Sequence, residues 1–183
     1  MADRLAQALA LIDAANSADP KGDALVYGQR MSDELARLFP AASEILQVAA
    51  RGQHVERWLL PRSDYPDGKT GYLEWRREQG RRHAERVAEI MAEAGFTATD
   101  CERVKVLLRK EGIKRDSEVQ ALEDVICFVF LKWYFSPFAA ERGAEQTLDI
   151  VRKTARKMSA EGRERVLGEF DLPEPLAAAF RAG

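Results

Sequence analysis

The chain contains little histidine and little cysteine, and both shortages limit the chemistry it can support. Its 183 residues include two histidines, His54 and His83, and two cysteines, Cys101 and Cys127. Cysteines this few and this far apart cannot form a disulfide framework or a zinc ribbon, so we expect reduced thiols and a cytoplasmic protein. The sequence also lacks a Gly-rich phosphate loop, a nucleophilic serine elbow and the His-Glu-x-x-His pattern of metalloproteases.

An excess of charge of one sign is missing as well, and so is any long hydrophobic run. Lysine and arginine together number 28 against 30 for aspartate and glutamate, which gives a net charge of -2. No global field therefore attracts nucleic acid or an anionic membrane, and any anion site must be local. Charges interrupt the apolar residues of the N-terminal segment, which predicts neither a signal peptide nor a membrane span. We expect a cytosolic protein of bacterial type.

What the chain does have is helical periodicity along nearly all of its length. Apolar residues recur at spacings of three and four, glycine and proline stand at the joints, and no alternating run indicates strands. We predict one all-α domain over residues 1–183, an orthogonal bundle of about seven to eight helices. The third helix is predicted over residues 41–60, and the central helix, from Ser117 to about Phe135, is apolar nearly all round and should be surrounded by others.

Both histidines occur on predicted helix faces that carry unusual polar residues. His83 shares an apolar stripe with Arg76, whereas His54 shares a face of the third helix with Arg51 and Trp58. A solvated face more often carries lysine and glutamate, so these residues predict the walls of a polar cleft. The alternative is that His83 is a structural histidine satisfied by one hydrogen bond and that His54 lies on the surface.

Two adjacent carboxylates, Glu123 and Asp124, open directly into the apolar run from Val125 to Leu131. Burying an unpaired carboxylate there would destabilise the fold by roughly several kcal/mol, because the charge is desolvated. An imidazole, a guanidinium or a metal should therefore pair with it. We predict that Asp124 is the principal carboxylate of the polar cleft and that Glu123 pairs with an arginine. The alternative is an arginine–carboxylate clamp that only fixes helix packing.

Arginine and aromatic residues are concentrated between residues 51 and 86. Guanidinium groups bind phosphate or carboxylate in a fork, and tyrosine or tryptophan can stack on a base. The pattern predicts a site for a phosphorylated or nucleotide-like small molecule, whose contact residues would be Arg51, Arg57, Arg62, Tyr65 and Arg76. The alternative is that half of the arginines simply pair with glutamates of the long helix that carries His83.

Several motifs resemble the bacterial family called domain of unknown function 4202. They are Ala49-Ala50-Arg51-Gly52-Gln53-His54, Arg57-Trp58, Tyr72-Leu73-x-Trp75-Arg76 and Leu122-Glu123-Asp124-Val125. The resemblance runs from about residue 27 to about residue 138, and it implies a family-like core there with the helices of residues 144–183 packed on it. Since the family name assigns no activity, the resemblance bears on the fold more than on the function.

The chain has a looser resemblance to HD-domain metal phosphohydrolases, whose metal ligands are a first histidine, a later His-Asp pair and a final aspartate. His54, His83 and Asp124 occur in that order. The resemblance implies an HD-domain-like core in which these three residues bind a divalent metal and Glu123 orients a water for catalysis. Ala84 stands where the aspartate of the His-Asp pair belongs.

Two functions are left open by these residues. The first is a metal-dependent hydrolase that acts on a phosphorylated or nucleotide-like small molecule. The second is a non-catalytic module with a degenerate HD-like site, which binds a nucleotide or anion and reports it to a partner. The buried-face acid and the histidines favour the first, whereas Ala84 favours the second. A purely structural network is a third interpretation, and the sequence does not choose between a monomer and a homo-oligomer.

Overall fold

Helices account for all the regular secondary structure in the computed structural model, which describes residues 3–182. Ten α-helices occur in that range, and it contains no strand, which confirms the all-α prediction. They are α1 (Arg4–Asn16), α2 (Asp23–Leu38), α3 (Glu44–Arg51), α4 (Gly68–Glu93), α5 (Ala98–Leu108), α6 (Ser117–Val129), α7 (Phe135–Ala140), α8 (Ala144–Lys157), α9 (Ala160–Glu169) and α10 (Glu174–Ala182).

One of these helices, α7, lies beyond the residue at which the sequence predicted that the central helix ends. A π-helical turn at Phe130–Tyr134 follows α6, and α7 then begins with Pro137 in its first turn, where the missing N–H of proline is tolerated. The last helix, α10, lies within residues 144–183, where helices were expected. Across residues 3–182, no helix combines the length and the apolar character that a membrane span requires.

The chain divides into two compact units, one ending at Glu111 and the other beginning at Gly112. The first contains α1 to α5, and the second contains α6 to α10. The single-domain extent and the HD-domain-like core stay predictions.

In the first unit, α3 ends at Arg51 rather than at residue 60 as the sequence predicted. The backbone leaves the α-helical conformation at the next residue, since Gly52 has a ψ of 5°. A Cβ on Gly52 would lie 2.5 Å from Val87 Cγ2 in α4 and 3.5 Å from Ile12 Cδ1 in α1. The chain turns there, and Glu56 adopts the left-handed conformation with φ of 52°. Residues 52–60 therefore form a turn segment rather than the last turns of a helix.

Side chains of α4 hold this turn segment in place. Gln79 is buried, and its Nε2 donates to the carbonyl oxygens of Arg57 at 2.9 Å and Leu60 at 3.0 Å. Trp75 Nε1 also donates to Leu60 O at 2.9 Å. Since α4 fixes both ends of the Arg57–Leu60 stretch, it sets the position of the Arg57 side chain relative to its own polar residues.

The second unit is built around α6, whose Leu122, Val125 and Phe128 are buried. The Phe128 ring lies 5.7 Å from that of Phe170, which follows α9. Phe180 in α10 is also fully buried. The prediction that α6 is surrounded by other elements agrees with this burial.

Candidate functional site

The two histidines meet in the first unit. The centroids of the His54 and His83 rings are 6.0 Å apart, with the ring planes inclined by 45°. His54 also stacks on Tyr27 of α2, at a centroid distance of 3.8 Å and an interplanar angle of 12°. His83 is buried and His54 is half-buried. The structure therefore brings together a histidine from the turn segment and one from α4, which we call the histidine pair.

The surroundings of the histidine pair are positively charged. Burial, followed by the charges of Arg57 and Lys110, lowers the pKa of His83 to about 3. Burial is also the largest cause that lowers the pKa of His54 well below its ordinary value, and Arg57, His83, Lys110 and Arg76 add to it. Both imidazoles are therefore neutral at pH 7, and each can donate through one ring nitrogen and accept through the other.

One atom of the pair has no hydrogen-bond partner in the described part of the chain. It is His83 Nε2, which is buried. A buried polar atom without a partner destabilises a protein by about 1–3 kcal/mol, and such atoms in native folds call for an explanation. An additional polar group supplied from outside the chain would satisfy this nitrogen.

Arg57 and Arg76 bring two guanidinium groups whose ring contacts leave their N–H donors available. Arg57 Cζ lies 4.7 Å from the Trp75 ring centroid, and Arg76 Cζ lies 5.8 Å from that of Tyr72. Neither guanidinium forms an ion pair with a carboxylate of residues 3–182. Burial lowers the pKa of Arg57, a sign of partial desolvation. Two cations without a carboxylate counterpart can bind an external anion.

The other predicted contact residues have partners within the protein. Arg51 forms a two-pronged ion pair with Asp13 of α1, with distances of 2.7 and 2.6 Å. Arg62 donates to the carbonyl oxygens of Tyr65 at 3.0 Å and Pro66 at 2.9 Å, and so holds the loop that leads into α4. The Tyr65 side chain is half-buried. A role for these residues in binding a ligand stays a prediction.

Asp124 accepts hydrogen bonds from neutral donors inside the second unit, and its role as a metal ligand stays a prediction. The Ser159 N–H donates to Asp124 Oδ1 at 2.8 Å, and the Ser159 hydroxyl donates to Oδ2. Gln120 Nε2 donates to Oδ1 at 3.0 Å. Ser159 is the N-cap of α9. The Asp124 carboxylate therefore accepts hydrogen bonds from uncharged groups at the start of this helix. Burial nevertheless raises the pKa of Asp124.

Glycine at position 162 makes this arrangement possible. A Cβ there would stand 2.9 Å from Asp124 Oδ2 and 3.1 Å from Ser159 Oγ, closer than packed atoms tolerate. The neighbouring carboxylate, Glu123, is 2% exposed, and its Oε1 lies 3.9 Å from Lys157 Nζ. The arginine partner that the sequence led us to expect for Glu123 stays a prediction. A catalytic role for Glu123 stays a prediction.

The described residues do not fit the three-ligand metal site that the HD resemblance implied. Throughout residues 3–182, no three side chains of histidine, cysteine, aspartate or glutamate are grouped so that they could hold a metal ion. The histidine pair supplies two nitrogen donors, and both oxygens of Asp124 already accept hydrogen bonds.

Three residues of the site were missed by sequence reasoning. Gln79 stands one helical turn before His83 on the same face of α4, and this spacing could have indicated it. Tyr27 and Lys110 come from distant parts of the chain, and only the tertiary fold brings them close to the histidine pair.

Comparison with known proteins gives one match. A family model described as a domain of unknown function, DUF4202, matches residues 6–179. The chain matches no curated protein and no solved structure.

Proposed function

Since the chain belongs to the DUF4202 family, whose description assigns no activity, we propose from the geometry that its first unit is a non-catalytic binding module for a phosphorylated or nucleotide-like small molecule. One observation carries the proposal. Arg57 and Arg76 lie near the histidine pair, stack on aromatic rings and form no ion pair with a carboxylate of residues 3–182. A partly buried polar site with two guanidinium groups that lack such a counterion suits an anion.

The residues of this site would form different kinds of contact with an anion. Arg57 and Arg76 would donate charge-assisted hydrogen bonds to its oxygens, which are roughly twice as strong as neutral ones. His54 and His83 would add neutral N–H donors, and a bound anion would raise the pKa of both rings. The buried Nε2 of His83 would gain a partner. An anion thus compensates both the unpaired positive charge and the unsatisfied nitrogen.

Isothermal titration calorimetry with inorganic phosphate, on protein purified without a metal-affinity tag, tests this proposal. We expect one saturable site per chain. We expect Arg57→Gln or Arg76→Gln to weaken phosphate affinity about 10-fold or more, because a hydrogen bond to a charged group contributes about 1.5–3 kcal/mol. Arg77→Gln is the matched control. It removes the same charge one residue further along α4, about 100° around the helix.

Two results of this titration would overturn the proposal. One is the absence of saturable phosphate binding to the parent protein. The other is an equal loss of affinity in the Arg77→Gln control, which would mean that only overall charge matters.

A metal-dependent hydrolase with an HD-like site is the second candidate. One feature favours it, since two adjacent neutral imidazoles are in the protonation state that binds a metal. Elemental analysis of the tag-free protein separates the two candidates. Stoichiometric zinc, manganese, iron or nickel that is lost in His83→Ala would favour the hydrolase. Metal-free protein that binds phosphate would favour the binding module.

A further inference from the structure

One face of α4 extends from the cationic site to a partly exposed aromatic surface. Tyr72, Trp75, Arg76, Gln79 and His83 recur at spacings of three and four residues, so they share this face. Along it the aromatic rings come first, the guanidinium follows, and the imidazole comes last. A ligand held by the cations therefore lies next to aromatic rings.

We call Tyr72 and Trp75 of this face, together with Leu59 of the turn segment, the aromatic platform; Trp75 is half-buried, and the other two side chains are exposed. Tyr72 is 42% exposed and Leu59 is 58% exposed. Single exposed apolar side chains are ordinary, but neighbouring ones mark a binding surface. The Tyr72 and Trp75 rings lie 6.0 Å apart, and the hydrogen bond from Trp75 Nε1 to Leu60 O fixes the indole beside Leu59.

The cations of the anion site also lie on this platform. Arg57 lies over the Trp75 ring, and Arg76 lies over the Tyr72 ring. Tyr72 and Arg76 are one helical turn apart, which is about 6 Å along the axis. An anion bound to these guanidinium groups therefore has the platform within the reach of one sugar-sized spacer. Inorganic phosphate alone would leave the aromatic surface uncovered.

From this juxtaposition we infer that the ligand is a nucleoside phosphate, with its base stacked on the aromatic platform and its phosphate at Arg57, Arg76 and the histidine pair. The inference rests on the proposed function, because it assigns the phosphate to the same cations. Stacking suits this surface because every base has a π-face, so any base can form the contact. The platform thus selects for a base but not for a particular one.

Comparing the affinities of inorganic phosphate, ribose 5-phosphate and adenosine 5′-monophosphate tests the inference. We expect the adenosine nucleotide to bind about 10-fold more tightly than ribose 5-phosphate, since stacking one base contributes about that factor. Tyr72→Ala should bring the ratio of the two affinities, adenosine 5′-monophosphate over ribose 5-phosphate, down to about one; taking the ratio cancels any effect on the phosphate contact that both ligands share through Arg76. Leu73→Ala is the matched control, because Leu73 is also exposed but projects about 100° away from Tyr72 around α4. It should leave all three affinities unchanged.

The outcomes separate this inference from the proposed function. If phosphate binds but the nucleotide binds no more tightly than ribose 5-phosphate, the platform inference is overturned and the anion site stands. If none of the three binds, the anion site itself fails. If Tyr72→Ala converts a dimer to a monomer without weakening nucleotide binding, the platform is an interface between copies and the inference is again overturned.

Discussion

Asp124 in the second unit and His83 in the first unit are both buried polar side chains, but their hydrogen bonding differs. In the second unit, Asp124 accepts hydrogen bonds from Ser159 and Gln120 on both of its oxygens. In the first unit, His83 Nε2 is buried without a partner, and Arg57 stacks on a ring without a carboxylate of residues 3–182 as a counterion. A polar group whose bonds are complete stabilises a fold. A neutral polar group that lacks a hydrogen bond and lies among cations indicates a site for a ligand.

This comparison gives different roles to residues that looked alike in the sequence. Asp124 and His83 were both predicted metal ligands. Asp124 forms hydrogen bonds with the N-cap residue of α9. His83 Nε2, in contrast, has no hydrogen-bond partner within residues 3–182. Substitutions at the two positions should therefore separate stability from binding.

The largest expected effect is the loss of the Asp124 carboxylate. Asp124→Ala would leave the Ser159 N–H without its acceptor and weaken the start of α9, so we expect the free energy of unfolding to fall by about 2–4 kcal/mol. Urea denaturation measures it. Asp149→Ala is the control, since Asp149 forms only an exposed ion pair with Lys153, and the change should stay within about 0.5 kcal/mol. A loss of similar size in both variants would remove the distinction that we draw for Asp124.

The pH dependence of stability should report on His83. The unfolded chain protonates this histidine below about 6.5, whereas the folded protein keeps it neutral down to a pKa of about 3. Because the unfolded state binds more protons in this window, stability should fall as the pH falls, by at most about 1.4 kcal/mol per pH unit. Denaturation of the parent protein and His83→Leu between about pH 7 and pH 5 measures the difference, above the range where most carboxylates titrate.

The slope of the His83→Leu variant should be the shallower of the two. Identical slopes would mean that His83 has an ordinary pKa and is not buried in a cationic setting.

At neutral pH, His83→Leu should affect binding rather than folding. Leucine is similar in size and removes an unsatisfied buried nitrogen, so we expect stability to be unchanged or raised by about 1 kcal/mol. Phosphate affinity should fall at the same time. Urea denaturation and calorimetry on one preparation give both numbers. Strong destabilisation would instead show that His83 has a structural hydrogen bond, as in the alternative interpretation of the sequence.

The last comparison concerns two glycines of α9. Gly168→Ala has nothing within 4 Å of the new Cβ, so it should stabilise the helix by up to about 1 kcal/mol. Gly162→Ala gains the same propensity but pushes against Asp124 Oδ2, so it should be the less stable variant by about 1–2 kcal/mol. Thermal denaturation resolves the pair. Equal stabilities of the two variants would mean that the Asp124 side chain can move away from the new Cβ at no cost and that its contacts with α9 do not stabilise the fold.

The helical class and most helix positions followed from local pattern, because the period of the apolar residues and the caps are local features. The end of α3 did not follow, because the close approach of Val87 and Ile12 to Gly52 is a tertiary contact that local pattern does not show. The π-helical turn after α6 likewise had no local signal. Tertiary packing at these points overrides helix propensity.

The candidate site was predicted in part for the same reason. His54 and His83 were expected together, and the structure places their rings 6.0 Å apart. The role of Asp124 as an internal cap could not be seen, because its partner Ser159 is distant in sequence. Neither could the stacking of Tyr27 on His54. Local periodicity shows which face a residue lies on, but not what meets it there.

The central claim is that the histidine pair and its neighbouring arginines form an anion site. Nitrogen-15 NMR of the imidazole rings during a titration with inorganic phosphate tests it most directly. We predict that the His83 and His54 ring signals shift together and saturate, and that the shift is lost in Arg57→Gln. Ring signals that stay unchanged while phosphate is added to excess would contradict the claim.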